Sequence, residues 1–158
     1  MSVAFTREED SESAAAALPD RPISPHPNLV TRQGLLQLEV GLASAKAAYA
    51  AAQTGDVKSD REAMARATRD LRYFSARRAS AQLIESARRP LRVTFGAAVT
   101  VERDDGRTLT YQIVGEDEAD PTRGSVSYMS PIAKALLGKE VGDTARVGDH
   151  DFEVAAIA

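Results

Sequence analysis

The apolar residues Leu35, Leu38, Leu42, Ala45, Tyr49 and Ala52 follow one another at spacings of 3, 4, 3, 4 and 3. That is the a/d seam of a helix that packs lengthwise on a partner helix. Thr31 stands where an N-cap belongs, so the helix is expected to start at about Arg32, and Gly55 is expected to stop it in the left-handed conformation. A second helix has its own start signal. Ser59-Asp-Arg-Glu62 reads as a capping box, with Ser59 capping the amide of Glu62. Met64, Ala67, Leu71 and Phe74 continue the stripe, which would next land on Arg78. The register is therefore expected to drift to Tyr73, Ala76, Ser80, Leu83 and Ala87. Helices joined by so short a turn lie antiparallel. A first helix of roughly 22 residues projects about 33 Å at 1.5 Å per residue.

Beyond residue 90 the period changes from helical to alternating. Val99 and Val101, then Leu109, Tyr111 and Ile113, flank Asp104-Asp-Gly106, which predicts a hairpin. Val126 and Tyr128 suggest a third strand, and Thr144–Val147 with Phe152–Ile157 would close the sheet. Ser130 followed by Pro131 is an N-cap with proline at the first helical position, opening a short helix that Gly138 ends. The fold class is α+β: an antiparallel helical hairpin over 31–89, then a small, mainly antiparallel β domain with one short helix over 90–158. Residues 1–30 carry Pro19, Pro22, Pro25 and Pro27 and read as an extended arm.

Composition narrows the chemistry. Of 158 residues, 43% are hydrophobic and 27% charged, which suits a folded protein. Cysteine is absent and histidine is limited to His26 and His150, so disulfides, thiolate nucleophiles and histidine metal clusters are excluded. No apolar run approaches the roughly 18 residues of a membrane span, and Met1-Ser-Val does not open a signal peptide; a cytoplasmic protein is expected. Charge is unevenly spread. Residues 1–30 carry two basic and five acidic side chains, 31–90 eleven and six, and 91–158 seven and twelve. A basic middle between acidic ends fits either a nucleic-acid-facing surface or a solvated arginine-rich helix face. The first acidic cluster is Glu8, Glu9, Asp10 and Glu12. A second, Glu116, Asp117, Glu118 and Asp120, is expected to be a solvated turn.

The turn between the helices holds Asp56 and Asp60, with Glu62 just beyond, and Arg61, Arg66 and Arg69 follow. Carboxylates at the end of a rod suit a hard divalent cation. Acids at a helix start also complement its dipole, without any ligand.

Three stretches carry a resemblance. Tyr111-Gln-Ile-Val-Gly-Glu-Asp-Glu-Ala-Asp120, Ser127-Tyr-Met-Ser-Pro-Ile-Ala-Lys-Ala-Leu-Leu-Gly-Lys139 and Val141-Gly-Asp143 resemble the C-terminal domain of the GreA/GreB transcription factors. Phe95–Val101 resembles the entry into that domain, and Val30–Gly34 with Leu38-Glu39 the start of the family's coiled coil. The resemblance implies an FKBP-like C-terminal domain that docks on bacterial RNA polymerase through Ser130, Pro131, Ile132, Ala133, Leu136, Leu137 and Lys139. It further implies a coiled coil inserted into the polymerase secondary channel, indirect contact with nascent RNA through channel-facing Arg61, Arg66 and Arg69, and a monomer with no activity of its own and no tightly bound cofactor.

Active members of the family carry G-D-x-x-E-N-x-E-[YF] at the tip, where the Asp and the first Glu help the polymerase hold Mg²⁺ for hydrolysis of backtracked RNA. Here the segment is Gly55-Asp-Val-Lys-Ser-Asp-Arg-Glu-Ala63. Asp56 and Glu62 match, whereas Ser59 replaces the key Glu, and a hydroxyl is no anionic Mg²⁺ ligand. Asp60 is the acid left to share the ion with Asp56. Each arm is also shorter than the family pattern by eight or nine residues, about 12 Å of reach. These departures weigh against cleavage stimulation and toward a short-armed occluder, similar to the regulator-of-nucleoside-diphosphate-kinase proteins. Two other classes stay open: a peptidyl-prolyl isomerase, by fold alone, and a nucleic-acid-binding (DNA or RNA) coiled coil.

Overall fold

The computed structural model describes residues 18–55 and 57–158. The acidic cluster Glu8–Glu12 and Asp56 thus lie outside the described residues. Contacts gather into two units. One joins the described residues up to His26 with Leu38–Ser80; the other joins Pro27–Gln37 with Ala81–Ala158.

The first unit is a helical hairpin of α1 (Arg32–Ala52, from Leu38 onward) and α2 (Val57–Ser80). The seam forms at the expected positions, with Ala65 added to it. Leu38, Ala45 and Ala52 of α1 are buried with Ala65 and Ala67 of α2, and Leu42, Tyr49, Met64, Leu71 and Phe74 are half-buried beside them. Gly41 admits the Phe74 ring: a Cβ there would stand 2.5 Å from the ring edge. Glu39 pairs with Arg78 at 3.1 Å, which fixes the antiparallel register at the open end.

Three local expectations are corrected. The helix α2 starts at Val57, so Ser59 already has helical backbone and cannot be the N-cap that a capping box needs. Gly55 does not adopt positive φ. Instead α1 ends at Ala52, and Thr54 turns back on it, its amide and hydroxyl donating to Ala51 O at 3.2 and 2.9 Å. At its other end α2 stops at Ser80 rather than running on through Leu83 and Ala87.

The arm is not a free extension. Arg21 donates to Asp70 at 3.3 Å and lies over the Tyr73 ring at 3.8 Å from its centroid. Asp20 accepts from Arg72 at 3.1 Å, so the described residues before His26 are laid along α2.

The second unit holds two sheets. β1 (Leu29–Val30) and β2 (Gln82–Leu83) pair in parallel, with Gln82 N donating to Asn28 O at 2.8 Å and Ile84 N to Val30 O at 3.0 Å. That pairing takes the backbone donors that a longer α2 would need. The main sheet has the order β5-β4-β3-β7-β6, formed by β3 (Ala98–Arg103), β4 (Thr108–Val114), β5 (Ser125–Ser127), β6 (Thr144–Val147) and β7 (His150–Ile157). Only β4–β5 is parallel. Val99, Val101, Ile113, Phe152 and Val154 turn one face of it onto α3 (Pro131–Leu136), whose Ala133 and Leu136 complete the core.

Candidate functional site

The turn end of the hairpin carries the acids and arginines singled out above. Asp60 lies in the first turn of α2 and is half-buried; a Cβ on Gly55 would collide with its carboxylate, so glycine leaves that carboxylate its place. Glu62 is exposed. Residues two apart on an α-helix point about 200° away from each other, so Asp60 and Glu62 do not converge on one ion. Among the described residues no group of three or more His, Asp or Glu is placed to hold a metal. Asp56, the acid expected to share an ion with Asp60, lies outside the described residues.

The arginines are brought together by helical spacing and by the arm. Arg61, Arg69 and Arg72 line a groove of about 780 Å³ whose wall also includes Leu18, Ala52, Met64, Ala65 and Asp60. Arg66 is exposed, and Arg69 is half-buried with its Nε lacking a hydrogen-bond partner among the described residues. Leu18 carries no sequence signal for this place, because an extended arm does not announce what it lies on.

The short helix places the second set. Ser130 is the N-cap as expected, its hydroxyl accepting from Ala133 N at 3.3 Å, with Pro131 at the first helical position. Ala133 and Leu136 are 0% exposed and belong to the core, so they have no surface to offer a partner. That corrects their place among the docking residues, since helical spacing turns this pair inward. The surface is left to Pro131, which is exposed, and to Ser130, Ile132, Leu137 and Lys139, which are half-buried. Lys134, one turn from Pro131 and exposed, shares it and was not singled out from sequence. Gly138, at φ 82°, ends the helix and donates to Val93 O at 2.8 Å, which anchors the Leu137–Lys139 corner.

The second acidic run is not simply solvated. Glu118 accepts from the backbone N–H of Thr31 at 3.0 Å and from its hydroxyl, while Thr31 Oγ1 accepts from Gly34 N at 3.1 Å. A carboxylate thus sits at the start of α1, where the dipole favours negative charge. Asp120 caps the 3₁₀ turn Pro121–Arg123, accepting from Thr122 N at 3.1 Å. At the β3–β4 hairpin, the Asp104 carboxyl is held below its usual range. The His150 ring, 2.8 Å away, is the main cause, followed by the Asp151 N–H at 3.0 Å. His26, the other histidine, is exposed in the arm, and its backbone N–H donates to Ser24.

A family model described as transcription elongation factor, GreA/GreB, C-term matches residues 89–158. The transcription elongation factor GreA of Verminephrobacter eiseniae is 53% identical over 72 residues, 42% of this chain and 46% of that protein. GreA of Desulfovibrio desulfuricans is 38% identical over 109 residues, 65% of this chain and 66% of that protein. The alignment with the first of these relatives thus spans about half its length. Among solved structures, GreA factor homolog 1 of Thermus thermophilus aligns over 84% of this chain and 99% of its own, at 25% identity and a TM-score of 0.40. A GreA/GreB factor from Nitrosomonas europaea aligns over 84% and 98%, at 15% identity and a TM-score of 0.41.

Proposed function

The chain belongs to the GreA/GreB family by its C-terminal domain, and from that premise we propose that it is a non-enzymatic factor that binds bacterial RNA polymerase. It docks through the surface of Pro131, Ile132, Leu137 and Lys139, enters the secondary channel with the hairpin, and regulates elongation in the cytoplasm. It does so without lending the polymerase a pair of magnesium-holding carboxylates. One observation supports that last point most directly: Ser59 stands in the first turn of α2 where the family pattern has its key glutamate. A hydroxyl is a weak substitute for an anionic ligand. The neighbouring acids Asp60 and Glu62 point apart, and α1, at 21 residues, extends only about 31 Å.

The isomerase and free nucleic-acid readings gain no support. Ala133 and Leu136 fill the space against the sheet. Arg21, Arg72 and Arg78 are engaged with Asp70, Asp20 and Glu39.

The test is competition. The chain is titrated into a backtracked complex of the cognate polymerase that is being cleaved with the help of a full-length GreA. Channel occupancy predicts that cleavage falls toward the unassisted rate as the chain is added. No decrease at a hundredfold excess would overturn the polymerase assignment.

A further inference from the structure

We propose that the solvent-facing side of α1 pairs with the same side of a second copy of this chain, the two helices running antiparallel. This goes beyond the polymerase reading and does not rest on it.

Three observations carry the inference. The first is a second seam. Leu36, Val40, Ala43, Ala47 and Ala50 follow one another at spacings of 4, 3, 4 and 3, an a/d repeat of their own. Because α1 is one unbroken helix, turning about 100° per residue, these five share the side away from the buried Leu38, Ala45 and Ala52. All five are exposed, Leu36 at 52% and Val40 at 66%. Of the 21 residues of α1 only Arg32, Glu39 and Lys46 are charged, against ten of the 24 in α2. A helix that is apolar on both sides is built to be covered on both. The second observation is charge, and it selects the occupant. Glu39 and Lys46 are exposed and stand one heptad apart on the same flank of this seam. In an antiparallel pair like flanks face each other, so Glu39 of each copy meets Lys46 of the other, twice over. In a parallel pair that flank would face Gln37, Ser44 and Ala51, which carry no charge. Arg78 is bound through Glu39 Oε1, and a carboxylate has a second oxygen with which to accept from lysine. The third is shape. The register that joins Glu39 to Lys46 also sets Leu36 against Ala47 and Val40 against Ala43 of the other copy, so each layer packs a large side chain on a small one. The face is thus complementary to itself in both charge and volume.

Sedimentation velocity of the full chain over a concentration series reads the pairing. At low salt the chain should pass from monomer to dimer with a dissociation constant below about 100 µM. Lys46→Glu or Glu39→Lys alone sets like charges against each other at both contacts, and each should weaken the dimer at least about tenfold. An equimolar mixture of the two variants restores opposite charges at both contacts, so it should dimerise about as tightly as the unaltered chain. Recovery in the mixture cannot come from variants that merely fail to fold. An unaltered chain that stays monomeric at several times that concentration would overturn the proposal, as would a mixture that dimerises no better than either variant alone. So would a dimer that both single variants leave intact, which would place the contact on another surface.

Discussion

Glu118 shows how much one side chain organises here. It belongs to an acidic run, yet its carboxylate holds the amide and hydroxyl of Thr31 and comes within 3.4 Å of Gly115 N. Hydrogen bonds to a charged group contribute about 1.5–3 kcal/mol, so Glu118→Ala should lower unfolding free energy by about that amount in urea titration. Thr31→Val should cost less in the Glu118→Ala background than alone, because the two share an interaction. Gly115 is buried with Leu29 O where a Cβ would go, so Gly115→Ala is expected to cost about 1–3 kcal/mol through overpacking. Asp104 supplies a pH dependence of definite sign. Its folded carboxyl titrates below the unfolded value, so its contribution is present above about pH 4. That contribution is lost as pH falls through the folded value. In Asp104→Asn the acid limb of the stability profile should be shallower. An unchanged slope would show that the His150 contact has no part in it.

At the scale of elements, the hairpin rests on few large side chains. Leu38 is 2% exposed in a seam otherwise rich in alanine, and Leu38→Ala should cost about 2–4 kcal/mol and lower the helical melting transition. The arm is held by a different chemistry. Arg21→Lys keeps the charge opposite Asp70 but loses the planar stack on Tyr73, so a loss of about 0.5–1 kcal/mol is expected, with Arg21→Ala losing more. The seam was legible in the sequence because its 3-4 spacing leaves one apolar stripe. Ser130-Pro131 was legible too, because cap and proline act locally. The strands around Asp104-Asp-Gly106 were legible because their alternation matches a sheet with one buried face. What stayed hidden was long-range. The two-residue strands β1 and β2 pair across some fifty positions and carry no period of their own. The arm's prolines announce extended backbone but not what it lies on. The apparent capping box failed because α2 begins two residues before Ser59. At the candidate site, the arginine group was readable from helical spacing, whereas the inward turn of Ala133 and Leu136 needed the packing of α3.

For the whole molecule, the C-terminal domain and the altered tip point in different directions. The C-terminal domain keeps the family pattern over residues 89–158, while the hairpin end lacks the glutamate and brings no second described acid to the same point. On the proposed reading, delivery to the polymerase and assistance to its chemistry are separate properties of the two regions. The most direct measurement is the rate of transcript cleavage in a stalled, backtracked complex of the cognate polymerase, with and without this chain, using Asp56→Ala as the control. The account predicts a rate unchanged from the unassisted polymerase, or lowered, and the same for both forms. A rate that rises with added chain and falls back in Asp56→Ala would contradict it, showing that the short hairpin reaches the active centre with a working carboxylate.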